Sequence, residues 1–498
     1  MLNNKKVLVN AISSAFQVAI VGVVYFLQYK YLLSKLGVQE LGVWSLVMAT
    51  SSIVNLANFG ITSSLVKFVA EYKANRREEE LSTLITTSLI SICCFFLILV
   101  SLLYFGASFV LKNVVDSKYL PLAKEILPYS LLSLFIVGIG GVFTSVLEGV
   151  QKNYLRSIIY SGATIFQYML IVLLLPQYGI LGVSYAQILQ SCLILIAAIY
   201  LSFRYFWNKD VSLFQWKKTV FKEIISYGLK LQVVSICQMM YEPTTKALLS
   251  KFGGLSMVGY YEMASRMITQ IRALIINANQ VIIPVVAEVS INNNRDFGKI
   301  HGKTLFLTIL VSLTVILLII VLTPLISAIW IGHVENSFIF FTVILCVANF
   351  VNINSGPAYF ILLGQGKLNP IIYEHIVIGI LNALLAYLLG LYYGGVGVVL
   401  SWAFALSVPS FLLIYYFDKV SLHNQLITYG KTIYSSIFFF TCIVMILIFS
   451  AQSEWLSRGV IIFTLFGMLF YAGLLYFFFY KNTDIQRIIR SILHMLKK

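Results

Sequence analysis

The sequence predicts an all-α polytopic membrane protein with about fourteen transmembrane helices: two parallel six-helix repeats, then two extra C-terminal helices. Three observations predict it. Only 11% of the 498 residues are charged and 59% are hydrophobic, with mean hydropathy +0.90; soluble domains carry about 25% charged residues. Apolar runs of the length that crosses a bilayer, about 20 residues each, succeed one another with short connections. The chain also matches itself at a spacing of 215–217 residues.

The runs lie at 8–33, 42–70, 82–110, 121–148, 154–175, 181–203, 222–250, 257–287, 304–330, 337–363, 370–391, 395–417, 432–450 and 459–480. The basic start at Met1–Lys6 looks like a signal peptide. Its apolar run continues to Leu33 without a small-residue cleavage motif, so it reads as an uncleaved first span. Cys93, Cys94, Cys192, Cys237, Cys346 and Cys442 fall in apolar segments without metal or disulfide spacing, so they read as small buried side chains. No metal site and no bound cofactor are expected.

The net charge of +16 is distributed by side. One set of connections holds Lys5 and Lys6; Lys73, Arg76 and Arg77; Lys152 and Arg156; Arg204 to Lys222; Arg295, Lys299 and Lys303; Lys367; Lys419 and Lys431; and the tail. The other set has only Lys30, Lys35, Lys112, Lys118, Lys251 and Arg458. The positive-inside bias places both termini in the cytoplasm and accounts for the excess, so the partner is a phospholipid membrane and not nucleic acid. The expected divisions are an N-lobe at 1–207, a cytoplasmic amphipathic linker at 208–223, a C-lobe at 224–420, the extra spans at 421–480 and a basic amphipathic tail at 481–498. Phe214 and Trp216 beside Lys217 and Lys218 read as a segment on the membrane surface.

The repeat rests on ordered matches. Lys30 to Gly37 matches Lys246 to Gly253 at offset 216, and Val69-Ala-Glu71 matches Val286-Ala-Glu288 at 217. Tyr178 to Val183 matches Tyr393 to Val398, and Leu147, Gly149 and Lys152 match Leu362, Gly364 and Lys367, both at 215. Six spans per copy is even, so the copies are parallel, with a substrate site expected near the midplane between them.

Charge inside the spans is concentrated in the first two of each copy. An ionisable residue there costs about 2.5–3.5 kcal/mol on insertion scales and is a functional-site candidate by default. The candidates for a cationic substrate cavity are Arg272, Lys230, Lys67, Arg266 and Lys246. Arg272 lies near mid-span without an acid at i±3 or i±4, and the repeat maps it onto Asn55, a polar cavity candidate. Lys67 and Lys230 lie toward the cytoplasmic ends, where they either meet cargo or snorkel. Glu242/Lys246 and Glu262/Arg266 are i,i+4 pairs in the favourable order, so the two acids read as ion-pair or coupling groups. At 100° per residue the charges do not share one narrow stripe of a helix. Pro243, Pro284 and Pro357 are hinge candidates. Glu374 and His375 read as a weaker interfacial pair. Tyr25, Tyr29, Tyr31, Trp44, Tyr260 and Tyr261 read as an outer aromatic belt. The outer acids Glu40, Asp116, Glu335 and Glu454 are isolated, which leaves no catalytic set and argues against an enzyme.

Lys35-Leu-Gly-Val-Gln-Glu-Leu-Gly-Val-Trp-Ser45, Phe59-Gly60 followed by Val66-Lys-Phe-Val-Ala-Glu71, Val258-Gly-Tyr-Tyr-Glu-Met-Ala264 and Tyr178-Gly-Ile-Leu-Gly-Val183 carry a resemblance. The chain resembles the polysaccharide and oligosaccharide flippases of the multidrug/oligosaccharidyl-lipid/polysaccharide exporter superfamily. The resemblance implies two MATE-like six-helix lobes in a V, acting by alternating access. It implies movement of an undecaprenyl-pyrophosphate-linked oligosaccharide from the cytoplasmic to the outer leaflet of a bacterial inner membrane, for O-antigen, capsule or exopolysaccharide. It also implies coupling to H+ or Na+, a monomeric protein, and a polysaccharide polymerase and chain-length proteins as partners. A lipid II flippase and a multidrug or cation antiporter of the same superfamily are the alternatives. The excess of Lys and Arg over Asp and Glu in the spans favours an anionic cargo over cationic drugs.

Overall fold

The computed structural model describes residues 4–53, 58, 60–74, 78–206, 216–279 and 297–421. The regular elements among them are helices: α1 Asn4–Ser51, α2 Ile61–Ala74, α3 Glu78–Val114, α4 Leu120–Gly149, α5 Asn153–Tyr178, α6 Ile180–Phe206, α7 Lys218–Asn279, α8 Phe297–Trp330, α9 Asn336–Gly364 and α10 Asn369–Ser421. Eight of the described helices contain stretches long and apolar enough to cross a membrane. Some hold two spans: Asn369–Phe417 has 49 residues, about 74 Å at 1.5 Å per residue, against a hydrocarbon core of about 30 Å. Predicted spans thirteen and fourteen, and the tail, lie outside the described residues.

Two expectations need local correction. The second predicted span is not one continuous helix, because α1 ends at Ser51 and α2 begins at Ile61. The linker is shorter than expected, since α7 already starts at Lys218. At its end Trp216 Nε1 donates to Ser91 Oγ of α3 at 3.2 Å.

The joined spans break at single glycines, and these breaks recur with the repeat. Gly37 has φ 76°, ψ 170°, and Gly254 has φ 80°, ψ 170°. Gly179 has φ 56°, ψ −144°, and Gly394 has φ 60°, ψ −145°. The first pair is 217 residues apart and the second 215. A side chain with a Cβ is disfavoured at positive φ, so each reversal calls for glycine. A third pair follows at 215: Gln151, φ 62°, and Gly366, φ 72°. Gln151 closes α4 in a Schellman arrangement, with Lys152 N–H donating to Leu147 O and Gln151 N–H to Glu148 O.

This conformational register also corrects the sequence match around Lys246. With Gly37 aligned to Gly254, the residue equivalent to Lys246 is Tyr29, and Lys30 falls opposite Ala247. The doubled glycine at 253–254 had allowed a one-residue slip.

The helices form two compact units. The first takes in Met1–Asn277 and Gly366–Ser410. In it α4 packs on α6, α3, α2 and α1, and α5 packs on α6 and α1. Small polar side chains bond across these contacts, as expected where hydrocarbon offers no other partner. Ser133 and Ser191 oxygens lie 2.8 Å apart, Ser202 donates to Phe143 O, and Ser64 donates to Ile224 O. Leu97, Ile98, Leu102, Phe105 and Phe109 of α3 point outward, as residues facing lipid do. In the second unit α8 packs on α9, Ser312 donates to Asn354 Oδ1 at 3.3 Å, and His301 lies against Phe417.

Candidate functional site

Reversal at Gly37 folds the second segment of α1 back on the first, and reversal at Gly254 does the same within α7. Tyr29 and Ser45 each stand eight residues from Gly37. Lys246 and Glu262 each stand eight residues from Gly254. Each pair is therefore level across its own turn, about 12 Å from it at 1.5 Å per residue.

The two folded-back pairs cross through glycine. A Cβ built on Gly42 would fall 2.0 Å from Leu255 O, and one on Gly259 would fall 2.5 Å from Val38 O. Gly42 and Gly259 are equivalent at offset 217, as are Val38 and Leu255. The contact is thus reciprocal, which is what a twofold relation between copies demands.

That close approach brings all four level residues together. Glu262 is 1% exposed. Its Oε1 accepts from Tyr29 Oη at 2.5 Å and Arg266 Nε at 2.7 Å; its Oε2 accepts from Ser45 Oγ at 2.9 Å and from Lys246 Nζ. A carboxylate has about four lone-pair sites, and four donors occupy them. Lys246, 1% exposed, also donates to Glu242 Oε1 at 2.5 Å. Arg266 Nη2 lies 3.8 Å from the same oxygen. Two cations and two carboxylates make a formally neutral network, as burial in a membrane interior requires.

The predicted residues fare differently. Lys246, Arg266, Glu242 and Glu262 are brought into this one network, with bonds between the two i,i+4 pairs as well as within them. Arg272 lies in the same helix and acts electrostatically on Glu374 and His375 of α10. Glu374 Oε1 accepts from Ser410, and Tyr241 Oη donates to His375 O, so this pair belongs to a buried polar seam. Lys67 is exposed on α2, with Nζ 5.0 Å from the Phe68 ring centroid. Lys230 lies in α7 with its side chain outside the described residues, as are Asn55 and Pro284 altogether. Pro243 and Pro357 lie inside α7 and α9.

Sequence reading placed Tyr29 in an aromatic belt, and it is instead buried at 2%, bonded to Glu262. Trp44 and Tyr261 are likewise buried, at 7% and 3%. Ser45 was not singled out at all. The available signal was the repeat: at offset 217, Tyr29 and Ser45 are the counterparts of Lys246 and Glu262.

The sequence matches the polysaccharide biosynthesis protein family over residues 6–290. The chain belongs to this family. A Shigella flexneri protein named "Putative O-antigen transporter" is 22% identical over 428 residues, covering 82% of this chain and 97% of its own. The fold resembles the lipid II flippase MurJ in an inward closed conformation, with TM-score 0.70, 15% identity, and coverage of 94% of this chain and 99% of that one. It also resembles an inward-facing multidrug-resistance MATE family transporter of the MOP superfamily, with TM-score 0.69, 16% identity, and coverage of 82% and 99%. The protein is accordingly a multi-pass membrane protein of the polysaccharide biosynthesis family with the fold of these transporters.

Proposed function

We propose that the protein flips an undecaprenyl-pyrophosphate-linked oligosaccharide from the cytoplasmic to the outer leaflet of a bacterial inner membrane. The product would feed O-antigen, capsule or exopolysaccharide assembly. The observation that carries this reading is an excess of cations within the spans of a polysaccharide-family transporter. Within the predicted spans Lys30, Lys67, Lys124, Arg156, Lys222, Lys230, Lys246, Arg266 and Arg272 stand against Glu125, Glu148, Glu223, Glu242, Glu262 and Glu374. A pyrophosphate head requires such an excess, whereas a cationic drug requires the reverse.

Lys246 and Arg266 are committed to carboxylates in this structure. The phosphate role is given first to Arg272, which lies near mid-span and whose planar fork can hold phosphate oxygens bidentately and stays charged in low dielectric. Lys230 and Lys67 serve as entry cations. The network at Glu262 holds the first spans of the two repeats together; alternating access with H+ or Na+ coupling would open and remake it. Glu242 is the coupling residue in this scheme.

The test is reconstitution of the purified protein in liposomes with three cargoes: a fluorescent lipid-pyrophosphate oligosaccharide, lipid II and a cationic dye. Translocation of the first is expected. Dye movement without lipid movement would reject the reading.

A further inference from the structure

A second polar feature lies away from the charge network, inside the bundle of α2, α3, α4 and α5. It is a cavity of about 490 Å³, within the ~300–1,000 Å³ range of small-molecule sites. Asn58 and Thr62 form one wall, with Asn58 Nδ2 donating to Thr62 Oγ1 at 2.7 Å. Thr144 and Ser145 of α4 face them, and both hydroxyls donate to Gly141 O, at 3.2 and 2.8 Å. The rings of Phe96 and Tyr160 supply aromatic surface. Where α4 turns into α5, Glu148 Oε1 holds Arg156 Nε at 2.9 Å.

The repeat provides an internal control. At offset 215 the second copy carries Ile353 for Gly138, Phe360 for Ser145, Leu363 for Glu148 and Ile371 for Arg156. Ile353, Phe360 and Ile371 are buried. The helix plan therefore tolerates bulky apolar residues at these positions, and only the first copy keeps them small or polar.

We infer that this cavity is a carbohydrate subsite that receives neutral sugar rings of the lipid-linked cargo, separate from the cations that take its pyrophosphate. This rests on the function proposed above. The chemistry selects the ligand. With their protons given to a backbone carbonyl, Thr144 and Ser145 present oxygen lone pairs, which suit donor hydroxyls and repel an anion. The carboxylate of Glu148 is already neutralised by Arg156, so a bare cation has no unbalanced charge to meet. Phe96, packed on Gly138, and Tyr160, whose ring lies 5.2 Å under the Arg156 guanidinium, close the cavity with aromatic edges.

Ser145→Phe tests this, because it installs the residue that the second copy carries. Gly141→Ala is the milder filling, since its methyl would meet only Thr62 Cγ2 at 3.4 Å. The probes are undecaprenyl-pyrophosphate bearing a neutral trisaccharide, the same lipid bearing one sugar, and the free trisaccharide. Ser145→Phe is expected to lower trisaccharide-lipid transport by about tenfold and to change single-sugar transport less than about twofold. Gly141→Ala is expected to raise KM for the trisaccharide lipid several-fold with kcat unchanged. Calorimetry should show free trisaccharide binding to wild type and not to Ser145→Phe that elutes as wild type on gel filtration. Equal KM for both lipids in wild type and both variants would overturn the subsite while leaving the flippase reading intact. A wild type that moves neither lipid would defeat the flippase reading, and the free-trisaccharide arm would then decide the subsite alone: binding lost on filling supports it, and no binding refutes it.

Discussion

Ser45 donates a hydrogen bond to Glu262 at 2.9 Å, and the two residues occupy the same position in the two copies of the repeat, 217 residues apart. Tyr29 and Lys246, equivalent at the same offset, both donate to that carboxylate. Equivalent residues meet in this way only near a symmetry axis. The first copy contributes neutral hydroxyls and the second contributes charges, so the network is asymmetric in chemistry while its backbone setting is symmetric.

Glu262→Gln is expected to be the most destabilising single change in the network. It leaves the buried Lys246 and the partly exposed Arg266 with half of their counter-charge. Breaking a buried pair by removing one partner costs about 3–5 kcal/mol. Thermal unfolding in detergent should show a large fall in Tm. Adding Lys246→Met should restore part of it, with a coupling of about 0.5–3 kcal/mol in the double-mutant cycle. Additive losses would mean that the two side chains do not act on each other.

The glycine crossing gives a second expectation. Gly42→Ala puts a methyl into Leu255 O, and Gly259→Ala puts one into Val38 O. Backbone cannot yield as a flexible side-chain end can, so each should cost about 1–3 kcal/mol or more. Gly106→Ala, with nothing within 4 Å, should be neutral or stabilise by up to about 1 kcal/mol. The three variants are compared by Tm; equal behaviour would refute the close crossing.

Much of this architecture was legible because hydropathy acts on each span independently of its neighbours. The helices from α3 to α6, together with α9 and α10, begin and end within about four residues of the predicted spans, whereas α8 starts seven residues before its predicted span. The i,i+4 pairs were legible for the same reason, being local. The bonds of Glu262 to Tyr29 and Ser45 were not, because they cross more than 200 residues of chain. The repeat held that information, but a doubled glycine at 253–254 let the match slip by one residue, which pairs Lys30 with Lys246 and hides Tyr29. The break between α1 and α2 was hidden too, since 42–70 stays apolar through it. The cavity beside Ser145 leaves little trace in the sequence, because Asn58, Thr62, Thr144 and Ser145 are small and uncharged and its two charges, Glu148 and Arg156, stand at span ends where charge is ordinary.

Arg272→Ala is expected to reduce lipid-pyrophosphate oligosaccharide transport by about tenfold or more, the loss of one bidentate charged contact. Arg272→Lys keeps the charge and loses the fork, so it should recover only part. The assay is initial-rate transport in proteoliposomes, with Tm as the check on folding. Wild-type rates in Arg272→Ala would place the pyrophosphate elsewhere.

Glu242 and Glu262 should separate under pH. The Glu242 side chain is 45% exposed and Glu262 is 1% exposed, so water can deliver a proton to Glu242 without opening the network. Protonation there would weaken the 2.5 Å bond to Lys246 and the 3.8 Å contact to Arg266, while Glu262 keeps its donors. Pro243 follows directly and removes a backbone hydrogen bond at this turn of α7, so the helix can respond locally to the change. Glu242→Gln mimics the protonated form. It should lose less Tm than Glu262→Gln, because water reaches the half-exposed Glu242 and not Glu262, transport lipid-linked oligosaccharide, and lose the acid-side pH dependence of the rate. Glu262→Gln should instead lose Tm at every pH. A wild-type pH profile in Glu242→Gln would remove Glu242 from any coupling role and leave it a member of the interhelical lock alone.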